Sequence, residues 1–103
     1  MGFNGGELLL LAIGGCYRND LFREAARRGM VIKNIQVIVE AHWGGEPVRA
    51  QHVTLAPCIE AEANEAEILD LITSIDRIAE IPNSLRRGTP VRLRDARAIP
   101  VEK

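Results

Sequence analysis

Gly5-Gly-Glu-Leu-Leu-Leu-Leu-Ala-Ile-Gly-Gly-Cys-Tyr17 runs straight into Arg18-Asn-Asp-Leu-Phe-Arg-Glu-Ala-Ala-Arg-Arg-Gly29, and the reading of this stretch decides the fold. Residues 8–13 are apolar on every side, which predicts burial all round. Past Cys16 the apolar residues thin to one stripe of Leu21, Phe22, Ala25 and Ala26. Arg27, Arg28 and Gly29 form a stop, with cations favoured by the helix dipole and a glycine free to turn left-handed. The spacing predicts one helix over residues 7–28, roughly 33 Å long at the rise of an α-helix. Cys16 sits where its apolar end meets its charged end. Two readings of that thiol stand side by side. It is either a small core hydrophobe, as free cysteine usually is, or a partly exposed nucleophile with charges nearby.

The rest of the chain gives the helix little to pack on. Its 103 residues suffice for one small domain, and 47% apolar content allows a core. From Ile35 the residues alternate, with Ile35, Val37, Val39 and Ala41 on one face, so residues 31–43 read as a strand. A turn cluster over 44–47 and a second strand over 48–57 make a hairpin, with Cys58 just beyond its end. Asn64 and Glu67 form a capping box for a second helix carrying Ile68, Leu71, Ile72, Ile75, Ile78 and Ala79. Pro82 stops or kinks it, residues 83–87 add a turn closed by Gly88, and 90–94 form a short strand. Residues 1–6 read as a loose, glycine-rich N-terminus, and 95–103 as a tail with no assigned structure. The expected class is α+β, in the order helix, strand, strand, helix, strand. Three short strands cannot cover so long and so apolar a helix, which predicts a homodimer with residues 8–13 buried at its interface.

Several classes of function are excluded. A net charge of −1 offers no surplus for binding phosphates, so no nucleic-acid partner is expected. The apolar run is too short to span a bilayer, so no membrane partner is expected. Neither a lipoprotein signal nor myristoylation fits, because Glu7 stands in place of an n-region cation and Gly6 where a hydroxyl residue is wanted. Two cysteines make no disulfide framework, and a reducing cytoplasm is the simpler compartment. A four-residue loop over 44–47 would pair Trp43 with Val48 and His42 with Arg49, leaving His52 opposite Val39. The two imidazoles then lie on opposite faces and share no metal, and no metal or cofactor is expected. Residues 2–6 complete no nucleotide-binding glycine pattern, and the arginines at 86, 87, 92 and 94 read as a solvated face. That leaves Cys16, whose neighbours one turn away are Ala12, Ile13, Asn19 and Asp20. The Asp20 carboxylate opposes a thiolate, and no adjacent base is evident.

Residues 4–17, Asn-Gly-Gly-Glu-Leu-Leu-Leu-Leu-Ala-Ile-Gly-Gly-Cys-Tyr, resemble the nucleophile helix of the OsmC-like family of osmotically inducible and organic hydroperoxide resistance proteins. That family shows Asn/Ser-Pro-Glu, paired leucines, small residues, then Cys before an aromatic. Downstream, Ala25-Ala26, Gly29, two strands and a helix follow in order. Pro82-Asn83-Ser84-Leu85, with Gly88 and Val91, is similar to the family's Cys-Pro-Val-Ser-Asn-Ser-Leu segment. The resemblance implies an OsmC-like fold with a long central helix, a small mixed sheet and an intertwined dimer. This sequence would carry it without the family's N-terminal strands. It also implies a stress-response protein that reduces organic hydroperoxides through a nucleophilic thiol, here Cys16. The rest of the family's machinery is displaced. Its resolving Cys falls on Ala79, its acidic residue on Gly6 with Glu7 one place off, and its Arg in an N-terminal region this sequence does not show. Resolution would then fall to Cys58 or to an external thiol reductant. The alternative is a non-catalytic OsmC-like dimer that binds an apolar small molecule or a partner protein.

Overall fold

The computed structural model describes residues 4–102. The predicted α+β class holds. The elements are α1 (Gly5–Arg27), β1 (Ile32–Gly44), β2 (Arg49–Ala61), α2 (Glu65–Ile78), α3 (Glu80–Leu85), β3 (Val91–Leu93) and β4 (Arg97–Pro100). Central β2 pairs antiparallel with β1 on one edge, and parallel with β3 and β4 on the other, so the sheet is mixed.

Helix α1 starts earlier than the sequence suggests. The Asn4 side chain accepts from the Glu7 amide at 2.8 Å, and the Glu7 carboxylate accepts from the Asn4 amide at 3.3 Å. This capping box satisfies two orphan donors and draws Gly5 and Gly6 into the first turn. Of the expected loose N-terminus, residues 4–6 are therefore cap and helix, and Met1, Gly2 and Phe3 lie outside the described residues. At the far end the Met30 amide bonds Ala25 O at 2.8 Å and the Gly29 amide bonds Ala26 O at 3.1 Å, with Gly29 at φ +73°. That is a Schellman stop, and it explains the glycine.

Only one ridge of α1 is buried, formed by Ile13, Tyr17, Leu21 and Ala25 at four-residue spacing. These join Ile35, Val53, Leu55, Ile59 and the α2 residues Ile68, Leu71, Ile72 and Ile75 in one apolar cluster. The expectation that residues 8–13 are buried all round is not met within the chain. Leu8 and Leu11 are each 53% exposed and Phe22 is 39% exposed. One sheet and one helix can cover only one side of a cylinder, so the opposite side of α1 stays open.

The hairpin also differs from the expected register. Gly44 pairs with Arg49 and Trp43 with Ala50, but His42 pairs with His52, leaving Gln51 as a bulge. The loop pairing slides by two residues, which preserves faces. The bulge adds a third, which flips them. Strand β2 runs on through Pro57 to Ala61, so Cys58 lies inside the strand, between Gln36 and Arg97, not beyond its end. Pro57 cannot donate to a ladder. On the edge facing β3 and β4, pairing breaks between Leu55–Leu93 and Cys58–Arg97, at the left-handed Asp95, φ 44°. The unassigned tail supplies β4, which continues along β2 past this break.

The Asn64–Glu67 capping box forms as expected. Helix α2 stops at Ile78, with Ala79 extended, and Pro82 then sits in the first turn of α3. A proline ring is tolerated there and would collide with a carbonyl four residues back if the helix ran through.

Candidate functional site

Cys16 is half-buried on α1. Its thiol donates to Asp20 Oδ2 at 3.9 Å. The other carboxylate oxygen of Asp20 faces Arg23 Nη1 at 3.6 Å. The order along this flank of the helix is thus thiol, carboxylate, guanidinium. The cation is separated from the sulfur by the anion. The neighbouring Tyr17 is fully buried, and its hydroxyl donates to Ile72 O at 3.2 Å, pinning α1 to α2 beside the cysteine. Burial, and then the Asp76 charge, push the Tyr17 hydroxyl well above its usual range, while Arg86 pulls the other way.

Arg86 is committed elsewhere. Its guanidinium bonds Asp76 Oδ1 at 3.0 Å, Asp76 O at 2.8 Å and Val91 O at 3.1 Å, tying α3 and β3 to α2. Ala79, where a second family thiol would fall, is fully buried in the core. Cys58 projects from the sheet face opposite α1. The odd-numbered residues of β1 face α1, since a Cβ on Gly14 would come within 3.1 Å of Val39 Cγ2. Cys58 pairs with the even-numbered Gln36 and so points the other way. The sheet itself stands between the two thiols of one chain.

On the other flank of α1, away from Cys16, an open groove of about 520 Å³ runs between the helix and β1, floored by Leu10, Gly14, Val37 and Val39. Glu7 and Arg18 stand at its rim. Gly14 allows the helix this close to β1. Among the described residues no group of three or more His, Cys, Asp or Glu could hold a metal ion. No helix there is long and apolar enough to cross a membrane.

The profile of a family described as OsmC-like protein matches residues 1–94. The chain belongs to the OsmC-like family. Solved structures share its fold. An OsmC-like protein from Mycoplasma pneumoniae superposes with a TM-score of 0.85 at 16% identity, covering 96% of this chain and 74% of that one. An organic hydroperoxide resistance protein OsmC from Legionella pneumophila, also described as a predicted redox protein, gives 0.74 at 15% identity over 97% and 71%. An organic hydroperoxide resistance protein from Elizabethkingia anophelis gives 0.77 at 17% identity over 96% and 69%. No curated protein matches the sequence. On this OsmC-like chain, sequence reasoning finds Cys16 and its Asp20 neighbour. It misses the pairing of the two histidines, whose only signal was a hairpin loop one bulge away from the simplest register.

Proposed function

We propose that this OsmC-like chain is a stress-response thiol protein, with Cys16 as its reacting group and organic hydroperoxides as its substrate class. The observation that carries this reading is the placement of Cys16. The sole cysteine of α1 is half-buried beside an anchored tyrosine, on a helix that resembles the family's nucleophile helix and lies within the residues the family profile matches. The Cys16 thiolate attacks a peroxide oxygen. An S–O bond forms as the O–O bond breaks, the sulfur is oxidised to a sulfenic acid, and the alkoxide takes a proton and leaves as an alcohol. An external thiol then condenses with the sulfenic acid, releasing water and leaving a mixed disulfide, and a second thiol returns Cys16 to its reduced form. An external reductant is required because Ala79 has no sulfur and Cys58 faces away. The working form is a homodimer in which Leu8, Leu11 and Phe22 are covered by a second copy, and the compartment is a reducing cytoplasm.

The alternative is a non-catalytic dimer that holds an apolar molecule or partner. Two features favour it: the groove lined by Val37 and Val39, and a thiol that faces a carboxylate instead of a cation. Consumption of an organic hydroperoxide, with a dithiol as reductant, decides between them. The thiol reading expects turnover in the wild type and none above background in Cys16→Ser. Equal rates in the two would leave the binding reading in place.

A further inference from the structure

The two histidines of the chain meet on the sheet face away from α1, near the loop end of the hairpin. His42 and His52 are direct cross-strand partners, their rings are parallel to within 3°, and their centroids stand 5.2 Å apart. Both side chains are exposed, and neither ring has a hydrogen-bond partner among the described residues. An imidazole pair with four free ring nitrogens, held at fixed separation by two paired strands, is the donor set of a small bidentate metal site.

The separation fits. An ion at the usual Zn–N distance lies roughly 3.2 Å from the centre of each ligating ring, which puts the two centres about 5.2 Å apart for a tetrahedral angle. For a right angle, as in a square-planar or octahedral site, the same arithmetic gives about 4.5 Å. The observed 5.2 Å places the two rings within chelating reach, and the turn that makes their nitrogens converge also moves the ring centres. Stacked rings aim their nitrogens along parallel directions, and a turn about each Cα–Cβ and Cβ–Cγ bond makes them converge. Exposed side chains make that turn at little cost. Glu40, one pair further along the same face, is engaged by Arg94, and the two histidines form no group of three ligands with it.

We infer that His42 and His52 together bind one Zn(II)-class ion per chain, with water completing the coordination sphere. Such an ion staples β1 to β2 beyond the Gln51 bulge and stiffens the hairpin end. The premise that placed the rings on opposite faces fails at that bulge.

Titration of the apo protein with Zn(II), followed by calorimetry, tests the site in the wild type, in His42→Asn, in His52→Asn and in the thiol-free Cys16→Ser/Cys58→Ser chain. The expected result is one ion per chain in the wild type and in the thiol-free chain, with affinity at least tenfold weaker in each histidine variant. Circular dichroism establishes that the variants are folded. A zinc-dependent rise in the wild-type melting midpoint, absent in both histidine variants, gives a second readout. Wild-type affinity in either histidine variant, or loss of binding in the thiol-free chain, overturns the assignment.

Discussion

Cys16 Sγ and Asp20 Oδ2 stand 3.9 Å apart across one turn of α1, so the thiol of this chain addresses an anion. A thiolate formed there would face a like charge. For unit charges about 4 Å apart in water that repulsion is about 1 kcal/mol, or about fivefold in a rate that senses it. Asp20→Asn in a Cys58→Ser background is therefore expected to alkylate at Cys16 about fivefold faster near neutral pH. An unchanged or slower rate would show that the carboxylate does not restrain the sulfur.

The opposite placement of the two thiols gives a second expectation. A disulfide needs Cα atoms within about 7 Å and converging Cβ vectors. Cys58 points from the far face of the sheet, so peroxide treatment of the folded chain should produce no intramolecular Cys16–Cys58 bond. Mass spectrometry of a non-reducing digest reads this directly, and a Cys16–Cys58 peptide from native monomer would contradict it.

Acid should loosen the end of α1 before the rest. Glu24 bonds Arg27, with Nε to Oε1 at 2.9 Å, and Arg28, with Nε to Oε2 at 2.9 Å. These contacts, that to Arg27 first, hold its carboxyl at about 2, below its ordinary 4.5. The stability they contribute is present above pH 4.5 and is lost as the pH falls from there toward about 2. Glu24→Gln should flatten that part of the curve of melting midpoint against pH. Equal slopes in the two proteins would remove Glu24 from the acid transition.

Tyr17 should act at the other end of the scale. Its hydroxyl is favoured in the protonated form by burial, so its contribution is complete below pH 10 and declines as the pH rises further. Tyr17→Phe, which deletes the bond to Ile72 O, should cost about 1 kcal/mol at neutral pH. It should also weaken the loss of stability above pH 10, measured by urea unfolding at pH 7 and pH 11. A neutral-pH cost near zero would mean that the ring alone anchors the helix.

The open side of α1 gives a test of assembly. Leu11→Glu changes a residue 53% exposed in one chain, so the fold should survive with its helix content intact. The dimer should not, because a charge buried at an interface without a partner is strongly unfavourable. Light scattering should show monomer for Leu11→Glu and dimer for the wild type. A wild-type monomer at micromolar concentration would place no copy on this face.

Much of this architecture was legible because it rests on local chemistry. The Asn64–Glu67 box, the Gly29 stop and the alternation from Ile35 each follow from a few neighbouring residues, and each holds. What escaped depends on distant partners. The Asn4–Glu7 box was hidden by two glycines that suggest a loose end, and β4 has too few apolar residues to reveal that it lies along β2. Register is the sharpest case. Nothing in Ala50-Gln51-His52 announces a bulge, yet that one residue decides whether the histidines meet. The position of Cys16 could be read from the helix, but its surroundings could not. Helical periodicity names the neighbours one turn away, and it cannot say that Arg86 is spent on Asp76 or that a sheet divides the thiols.

The two edges of β2 close by different routes, and this sets an order in time. The β1–β2 ladder zips from a short loop, so its first contacts, Gly44 with Arg49 and Trp43 with Ala50, require little chain to be immobilised. The other edge is joined by Val53 with Val91 and by Cys58 with Arg97, and each pair must wait for the whole α2–α3 segment to be folded back. Closure of that long segment is part of the non-local topology, and such parallel pairings are slow to form. Substitutions in β3 and β4 should therefore register chiefly in the unfolding rate, and substitutions at the hairpin in the refolding rate, because the late-arriving strands have nothing to contribute until the barrier is past.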